Sequence, residues 1–382
     1  MDYYCSTKFT DMEVHVASRL LYNCCKAYPE RVNLDWLEKN PGKLFHTDTM
    51  LEDRKLMLEN KSCASCHHGC YKYEEQGLPS TRSDQDDIFI KNIESPLQNL
   101  QISLSTDCNL TCVYCSPEYS TGWQKDIENN GSYKLEGVDI RNDNWHKLWA
   151  KVKQKSRSTE SRFFKLLLKE ISLAKKLKSI VVLGGEPLLN NQLDEIISKG
   201  EDKKLDIISG LGVSKSRLLT YLKKYEGRDI NFKISGETTG ENFEFMRYGS
   251  KWTDFCEKIK MISDHGFEIE FISTISNLTI LDFHNFYNKF KNDYKININF
   301  LTGRPFLLPH VLDSKSKEIF QTWIAQQNDI SILEPLRNIT EKDPEGIDKK
   351  NLVDYLTQFG DRRKLSLDFL PKHFQTWCGL IT

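Results

Sequence analysis

The sequence predicts an α/β fold with a parallel sheet, because short apolar runs alternate with helical segments from residue 100 to about residue 309. The strand candidates are 100–104, 179–183, 230–234, 268–274 and 296–301. The helix candidates between them are 164–177, 214–225, 252–265 and 280–290. This order fits either a doubly wound sheet or a barrel, and both place active residues at the carboxyl ends of strands.

Composition indicates a globular chain. Of the 382 residues, 39% are hydrophobic, including 20 Phe, 15 Tyr and 7 Trp, which is ample for a buried core. Lys and Arg number 53 against 54 Asp and Glu, so no global field attracts polyanions. No run approaches the roughly 18 apolar residues of a membrane span, and the first residues lack the layout of a secretory signal. We therefore expect a cytoplasmic protein without a membrane partner.

Cysteine is concentrated in the amino-terminal region, residues 1–82. Eleven Cys occur in the chain, and reducing cytosol favours metal binding over disulfides for such residues. Six of them fall in this region: Cys5, Cys24, Cys25, Cys63, Cys66 and Cys70. Short helices are predicted at 33–40, with Asn33 as its cap, and at 48–60, inside an otherwise loop-rich segment. Residues 77–87 have the composition of a linker.

Three more cysteines, Cys108, Cys112 and Cys115, follow the first strand of the alternating region. Electron-carrier clusters take four Cys, so three thiolates can hold three irons of a four-iron cluster and leave the fourth iron open for chemistry. A zinc knot is the alternative, but structural zinc wants four ligands. The nearest downstream His, His146, lies beyond a long polar stretch.

This spacing, with Tyr114 just before the last Cys, resembles the signature of the radical S-adenosylmethionine (radical SAM) superfamily. The resemblance implies a [4Fe-4S] cluster on Cys108, Cys112 and Cys115 that binds S-adenosylmethionine and yields a 5′-deoxyadenosyl radical. It also implies a partial (β/α)6 TIM-type barrel over residues 83–310 and a cellular reductant of the flavodoxin or ferredoxin type. No catalytic residue beyond this site is assigned.

Gly184, Gly185, Glu186 and Pro187 end a later strand. Two glycines let a ligand approach the backbone, and the carboxylate can accept hydrogen bonds from an ammonium group. The resemblance implies that this element binds the amino group of S-adenosylmethionine. A tight strand-to-loop turn is the plain alternative.

Three further side chains are candidates for the same cofactor because they follow strand ends. The resemblance implies that Ser235 and Arg247 hold its ribose and carboxylate, and that Asn277 contacts its adenosine part, with backbone of 300–305 near the adenine. An Arg can bind a carboxylate through two parallel hydrogen bonds. The alternative is an ordinary turn Ser and surface Arg.

The amino-terminal thiols resemble the auxiliary-cluster region of the twitch or SPASM subgroup of that superfamily. In this resemblance Cys5 and Cys24 are one pair of ligands, and Cys63, Cys66 and Cys70 supply the rest. A second iron–sulfur cluster is implied, although zinc also suits four thiolates. Cys25, His67 and His68 leave the ligand set open. We assign no role to Cys256 or Cys378.

The remaining segments bear on the substrate and the ends of the fold. Residues 118–144 are predicted to form a long loop or lid and 201–212 a short excursion, while 311–382 form a helical extension with helices at 314–327 and 350–359. Twitch and SPASM relatives often modify peptides, so a peptide or protein substrate is expected. Lys147 to Lys178 is rich in basic residues, which leaves RNA modification as an alternative to a solvated helix face. A non-catalytic zinc-binding module is the third hypothesis.

Overall fold

The computed structural model describes residues 2–24, 26–67, 69–75, 80, 82, 88–138, 157–301, 304–327, 344 and 346–381. The chain divides into two compact units. The first unit comprises residues 1–105 and 149–208, and the second unit comprises 106–148 and 209–382.

The strands and helices of the described residues are numbered in chain order. The strands are β1 (Asp11–His15), β2 (Leu20–Tyr22), β3 (Glu30–Arg31), β4 (Asn99–Ser103), β5 (Thr111–Cys112), β6 (Ser179–Leu183), β7 (Lys204–Ser209), β8 (Ile230–Ser235), β9 (Arg247–Tyr248), β10 (Glu268–Ile275) and β11 (Lys295–Phe300). The helices are α1 (Thr7–Thr10), α2 (Leu34–Lys39), α3 (Asp48–Leu58), α4 (Cys70–Glu75), α5 (Thr121–Asn130), α6 (Arg157–Leu173), α7 (Gln192–Lys199), α8 (Lys215–Lys224), α9 (Gly240–Met246), α10 (Trp252–Asp264), α11 (Asn277–Phe290), α12 (Ser314–Ala325), α13 (Gly346–Arg363) and α14 (Lys372–Cys378). Short 3-10 turns lie at Ala64–Cys66, Pro187–Leu189 and Pro305–Leu307.

The first unit is built on a sheet with strand order β7-β6-β4-β1-β2-β3. Its pairs β7–β6, β6–β4 and β4–β1 are parallel, whereas β1–β2 and β2–β3 are antiparallel. Residues alternate between buried and partly exposed along β1, β4 and β6, as expected for strands with one face against a core. Ile102, Ile180 and Val182 are completely buried on that face.

Helix α6 covers apolar surface of the first unit with side chains at helical spacing. Phe163, Phe164, Leu167 and Ile171 are buried, which fits an amphipathic helix. The lysines of this stretch that the structure describes are exposed: Lys165, Lys169, Lys175, Lys176 and Lys178. This part of the basic stretch has the arrangement of a solvated helix face.

The second unit contains the parallel order β11-β10-β8 and a separate antiparallel pair, β5–β9. Helix α11 begins with a capping box, because Ser276 accepts from the Thr279 backbone while the Thr279 side chain accepts from the Ser276 backbone. Phe271 of β10 packs against Phe286 and Phe290 of α11 with ring centroids 5.0 and 4.7 Å apart. These aromatic pairs hold the helix on the strand.

The prediction of an α/β fold with a parallel sheet core and a helical carboxyl-terminal part is confirmed, and the arrangement is consistent with a partial TIM-type barrel. Strands β4, β6, β7, β8, β10 and β11 follow one another along the chain with helices between them. The predicted helices at 314–327 and 350–359 correspond to α12 and the longer α13.

Two local predictions were wrong. Residues 201–212 contain β7 rather than an excursion, because Leu205 and Ile207 are buried on either side of Asp206, itself only 7% exposed. Residues 118–144 are not a continuous loop, since α5 occupies Thr121–Asn130 with the completely buried Trp123 and ends at Gly131, whose φ is +73°. The amino-terminal region, expected to be loop-rich, also supplies β1 to β3.

No helix in the described part of the chain is both long and apolar enough to cross a membrane.

Candidate active site

The cysteine loop, residues 105–118, is held on one side by the start of α5. The Thr121 hydroxyl accepts a hydrogen bond from the backbone N–H of Cys108 (3.1 Å) and donates to its carbonyl (2.9 Å). The Gly122 N–H donates to the same carbonyl at 2.9 Å. Ser120 caps α5 and also donates its hydroxyl to the Leu110 carbonyl at 2.7 Å. The backbone of Cys108 is therefore fixed by residues immediately after the loop.

The other end of the loop is held by Trp123 and by two side chains far along the sequence. Arg304 donates to the Val113 carbonyl at 2.8 Å and also to the Cys115 carbonyl. The Tyr355 hydroxyl of α13 donates to the same Val113 carbonyl at 2.5 Å. Trp123 donates its indole N–H to the Cys112 carbonyl at 2.9 Å. Sequence reasoning missed Arg304 and Tyr355 as site residues.

The thiols of the loop differ in exposure. Cys112 is buried, Cys108 and Cys115 are partly exposed, and none of the three forms a disulfide. Burial raises the pKa of Cys112, while the charge of Arg247 opposes that rise. Among the described residues, no group of three His, Cys, Asp or Glu side chains converges to hold a single metal ion. A four-iron cluster binds each thiolate through a different iron, so its ligands need not converge on one point.

Arg247 lies directly opposite Cys112 because the two residues are partners in the β5–β9 register. Its guanidinium is 4% exposed and donates to the Glu237 carboxylate at 2.7 Å and to the Tyr114 hydroxyl at 2.5 Å. The Tyr114 hydroxyl in turn donates to Glu237 at 2.9 Å. Nη1 of Arg247 lies 4.0 Å from the Cys112 sulfur.

The electrostatics of this cluster favour a charged arginine. Burial lowers the pKa of Arg247, but the completely buried Glu237, together with Tyr114 and Cys112, outweighs burial, and the pKa lies above its usual value. Burial raises the pKa of Tyr114 well above its usual value, so the phenol is neutral. Sequence reasoning missed Glu237, although a carboxylate two residues after the end of β8 was a signal.

The Gly-Gly-Glu-Pro element belongs to the first unit, directly after β6. Gly184 and Gly185 have φ of +96° and +52°. A Cβ at Gly184 would come within 2.5 Å of the Ser103 hydroxyl, so the backbone there approaches β4 closely. Glu186 is 1% exposed, and its carboxylate accepts from the Leu188 N–H at 3.2 Å, which caps the turn that Pro187 begins.

Comparison with known proteins agrees with these features. Residues 102–290 match the family model of the radical SAM superfamily. The chain belongs to the radical SAM superfamily. It is a radical SAM enzyme, and the family implies a [4Fe-4S] cluster and S-adenosylmethionine.

Individual relatives are distant. GTP 3',8-cyclase from Clostridium acetobutylicum is 23% identical over 268 residues, which are 68% of this chain and 72% of that protein. The structure of anSMEcpe with bound AdoMet is 13% identical at a TM-score of 0.39, covering 64% of this chain and 61% of that one. This chain thus spans about three fifths of the length of anSMEcpe. SuiB from Streptococcus suis bound to S-adenosylmethionine is 13% identical at a TM-score of 0.33, covering 93% of this chain and 68% of that one.

Other residues predicted to bind the cofactor of the radical SAM enzyme lie at strand ends of the second unit. Ser235 is the last residue of β8 and is partly exposed. Asn277 is completely buried, and its amide donates to the carbonyls of Phe306 and Val311 at 2.9 and 3.1 Å. In this structure Asn277 therefore fastens the segment after β11. Thr302 and Gly303 of the predicted adenine contact lie outside the described residues.

The amino-terminal thiols of the radical SAM enzyme lie in the first unit. Cys5, Cys63 and Cys66 pack in one buried cluster with Met57 and Tyr71. Cys24 and Cys70 are also buried, and the charge of Cys24 adds to the effect of burial in raising the pKa of Cys5 to about 11. Cys25 and His68 lie outside the described residues.

A buried lysine accompanies these thiols. Lys8 is completely buried and donates to Asn23 (2.5 Å), Asp53 (2.9 Å) and Ser65 (2.5 Å). A hydrogen bond from Cys66 lowers the pKa of Cys63 to about 6, and the Lys8 charge acts in the same direction. Thiolates are the form that binds metals, so the donor type suits a cluster, although no three of the described side chains here converge on a single metal ion.

Proposed function

We propose that this protein uses a [4Fe-4S] cluster on Cys108, Cys112 and Cys115 to cleave S-adenosylmethionine reductively and to remove a hydrogen atom from a peptide or protein. The observation that carries the proposal is the cysteine loop, whose backbone is fixed on both sides while its three thiols form no disulfide. The bound cluster supplies the electron that splits the sulfonium. The protein supplies binding, orientation and exclusion of water.

The proposed roles of the cofactor-binding residues rest on the resemblance to the radical SAM superfamily. Gly184, Gly185, Glu186 and Pro187 are proposed to bind the amino group of S-adenosylmethionine, with Gly184 packed against the end of β4 and the buried Glu186 carboxylate as the acceptor. Ser235 and Arg247 are proposed for its ribose and carboxylate, whereas Asn277, completely buried and bonded to Phe306 and Val311, would act on the adenosine part by holding the segment after β11. Charge-assisted hydrogen bonds are stronger than neutral ones, which suits the Glu186 carboxylate to binding an ammonium group.

A second metal site is proposed on the amino-terminal thiols, with an iron–sulfur cluster favoured over zinc. Among the cysteines of this region that the structure describes, five are buried: Cys5, Cys24, Cys63, Cys66 and Cys70. Arg82 supports this region, because its guanidinium pairs with Glu74 and donates to the Tyr4 carbonyl at 3.0 Å, next to Cys5. Its role is to hold the amino-terminal segment that carries the first ligand.

The substrate class rests on the likeness of this thiol-rich region to the twitch and SPASM subgroup. An RNA substrate is the second candidate, favoured by the exposed lysines on and after α6. RNA binding that is retained at low salt and falls steeply as the salt concentration rises would favour an RNA substrate over a peptide, because phosphate contacts release counterions.

Anaerobic reconstitution with iron and sulfide tests the proposal. The wild-type chain is expected to turn brown and, when reduced with S-adenosylmethionine, to form 5′-deoxyadenosine. Replacing Cys108, Cys112 and Cys115 together by Ala should abolish that product, whereas Cys256→Ser and Cys378→Ser serve as matched controls and retain it. A colourless protein with stoichiometric zinc would refute radical chemistry and support the zinc-binding module.

Iron analysis of the same variants tests the second site. If the amino-terminal thiols hold a cluster, the triple variant keeps about four irons per chain, the content of one [4Fe-4S] cluster. Loss of all iron from the triple variant would contradict the second cluster.

A further inference from the structure

The pair formed by Arg247 and Glu237 is buried beside the sulfur of Cys112, and its placement is unusual for an ion pair that serves stability alone. Both side chains are almost completely buried, at 4% and 0% exposure. Taking two charges out of water is expensive, and an apolar pair of similar volume is often at least as stable. Nη1 of Arg247 points to within 4.0 Å of the Cys112 sulfur.

We propose that Arg247 is a positioning residue that sets the reduction potential of the cluster through a hydrogen bond to the Cys112 sulfur, with Glu237 holding its guanidinium in place. This inference rests on the proposed function, because Cys112 carries the sulfur that would bind iron. Hydrogen bonds to cluster sulfurs and nearby charge are established determinants of such potentials.

The geometry explains why this arginine reaches the sulfur. Antiparallel pairing of β5 and β9 places Cys112 and Arg247 directly opposite each other, where Cβ atoms lie about 4.5–5.5 Å apart. The Val113 N–H donates to the Met246 carbonyl at 2.9 Å and extends the same pairing. The guanidinium is therefore fixed by strand register rather than by its own flexible stem.

Tyr114 completes the arrangement. Its hydroxyl accepts from Arg247 and donates to Glu237, so the three side chains form a closed ring of hydrogen bonds. Each Glu237 oxygen is engaged on this ring, one by Tyr114 and the other by Arg247. The guanidinium Nη1 remains directed at Cys112.

Substitutions of Arg247 and Glu237 are expected to shift the reduction potential of the cluster in opposite directions. Arg247→Gln removes a donor and a positive charge next to the sulfur, so the reduced cluster is less stabilised and the potential falls. Glu237→Gln removes the negative charge but leaves the arginine, so the potential rises. A merely structural disturbance of the loop gives no such opposition.

Arg363 offers a matched control. It is a buried arginine that donates to the Thr111 hydroxyl at 3.1 Å and to the Tyr133 hydroxyl at 2.9 Å. Thr111 is the neighbour of Cys112, but these hydrogen bonds of Arg363 go to hydroxyl oxygens rather than to a loop sulfur. Arg363→Gln therefore perturbs the same strand without the proposed interaction.

The experiment is a redox titration of the reconstituted chain without S-adenosylmethionine, followed by EPR of the reduced cluster. We expect Arg247→Gln to lower the equilibrium constant for cluster reduction at least tenfold, which is a decrease of 59 mV in potential for one electron. We expect Glu237→Gln to raise this constant. Arg363→Gln is expected to shift it less than twofold. If Arg247→Gln does not retain the cluster, Arg247→Lys replaces it, with a smaller decrease expected because the charge is kept.

Unchanged potentials in variants that hold the cluster would overturn the inference and leave the proposed function intact. Shifts of the same sign for Arg247→Gln and Glu237→Gln, or shifts matched by Arg363→Gln, would also overturn it. A wild-type chain that takes up no cluster would instead refute the proposed function, and this inference with it.

Discussion

Replacing Gly184 by Ala is expected to destabilise the first unit by about 3 kcal/mol. The backbone at this position has φ of +96°, a conformation that costs a non-glycine residue about 1–3 kcal/mol. The new Cβ would lie 2.5 Å from the Ser103 hydroxyl and 3.0 Å from the Ser105 carbonyl. Such overpacking adds typically about 1–3 kcal/mol, and reduced freedom of the unfolded chain returns about 0.4–1 kcal/mol.

Gly42→Ala separates backbone strain from crowding. Gly42 lies in the same unit with φ of +82°, and a Cβ there would meet only Leu173 atoms, at 3.7 Å and beyond. The Gly42→Ala variant should lose about 1 kcal/mol of unfolding free energy, from backbone strain alone. Calorimetry should show melting lowered by about 6–12 °C for Gly184→Ala and about 2–4 °C for Gly42→Ala, by the usual scaling for a unit of 150–250 residues.

A double variant locates the crowding. Ser103→Ala combined with Gly184→Ala removes the nearest atom and should recover roughly 1 kcal/mol, while the contacts to Ser105 and Leu104 remain. If Gly184→Ala melts no lower than Gly42→Ala, the close approach between the end of β4 and the turn after β6 does not exist.

The same substitution tests the functional role of the glycines. With the cluster loaded, and below the melting temperature of every variant, Gly184→Ala should bind S-adenosylmethionine at least tenfold more weakly in equilibrium dialysis, because the methyl group meets Ser103 and Ser105 and displaces the turn that carries Gly185 and Glu186. Gly42→Ala should bind it as the wild type does. Equal affinities would show that the Gly-Gly-Glu-Pro element does not hold the cofactor.

Two further predictions concern α13 and a buried histidine. Tyr355→Phe removes the hydrogen bond to the Val113 carbonyl, which should lower the free energy of unfolding by about 1 kcal/mol and speed iron loss to a chelator. Thr357→Ala, at an exposed position of the same helix, should change neither quantity. If Tyr355→Phe lost iron at the wild-type rate, Tyr355 would have no role in holding the loop. Burial, with the charges of Arg54 and Lys43 acting together against Glu94, lowers the pKa of His46 to about 4. Its neutral ring accepts from Arg54 at 3.2 Å. The contribution of neutral His46 to the free energy of unfolding should therefore be fully present above pH 6.5 and be lost as the pH drops towards 4, a decrease on the order of 2 kcal/mol in urea titrations. The His46→Gln variant should lack that decrease. An equal decrease in the variant would assign it to other groups.

The apolar run of β6 and the alternating strands β8, β10 and β11 could be found from the sequence, whereas β7 and β1 were missed. The run Ser179–Leu183 was predicted with the bounds that the structure shows. In β7, Asp206 interrupts the pattern, and burial of its side chain depends on neighbours that a local pattern does not contain. Strand β1 does alternate, with Met12 and Val14 buried. Its period of two was visible in the sequence, but five residues among cysteines are a weak signal for a strand.

The candidate site divides in the same way between local and distant residues. Ligands within one loop, such as Cys108 and Cys112, are recognisable from spacing. Two of the side chains that fix the loop, Arg304 and Tyr355, lie 191 and 242 positions from Val113. Only the folded chain brings such pairs together, so no spacing rule predicts them.

The groups around the cysteine loop also share one electrostatic character. The carbonyls of Cys112, Val113 and Cys115 all accept hydrogen bonds from side chains, and two arginines, Arg247 and Arg304, are less than 10% exposed there. Donors and positive charge stabilise thiolates against the effect of burial. Glu237 adds a buried negative charge beside Arg247, and this carboxylate is paired with the Arg247 guanidinium. Arg247 at Cys112 and Arg304 at Cys115 therefore act against burial, which still raises the pKa of both thiols, whereas a structural thiol in an apolar core has no such opposing charge.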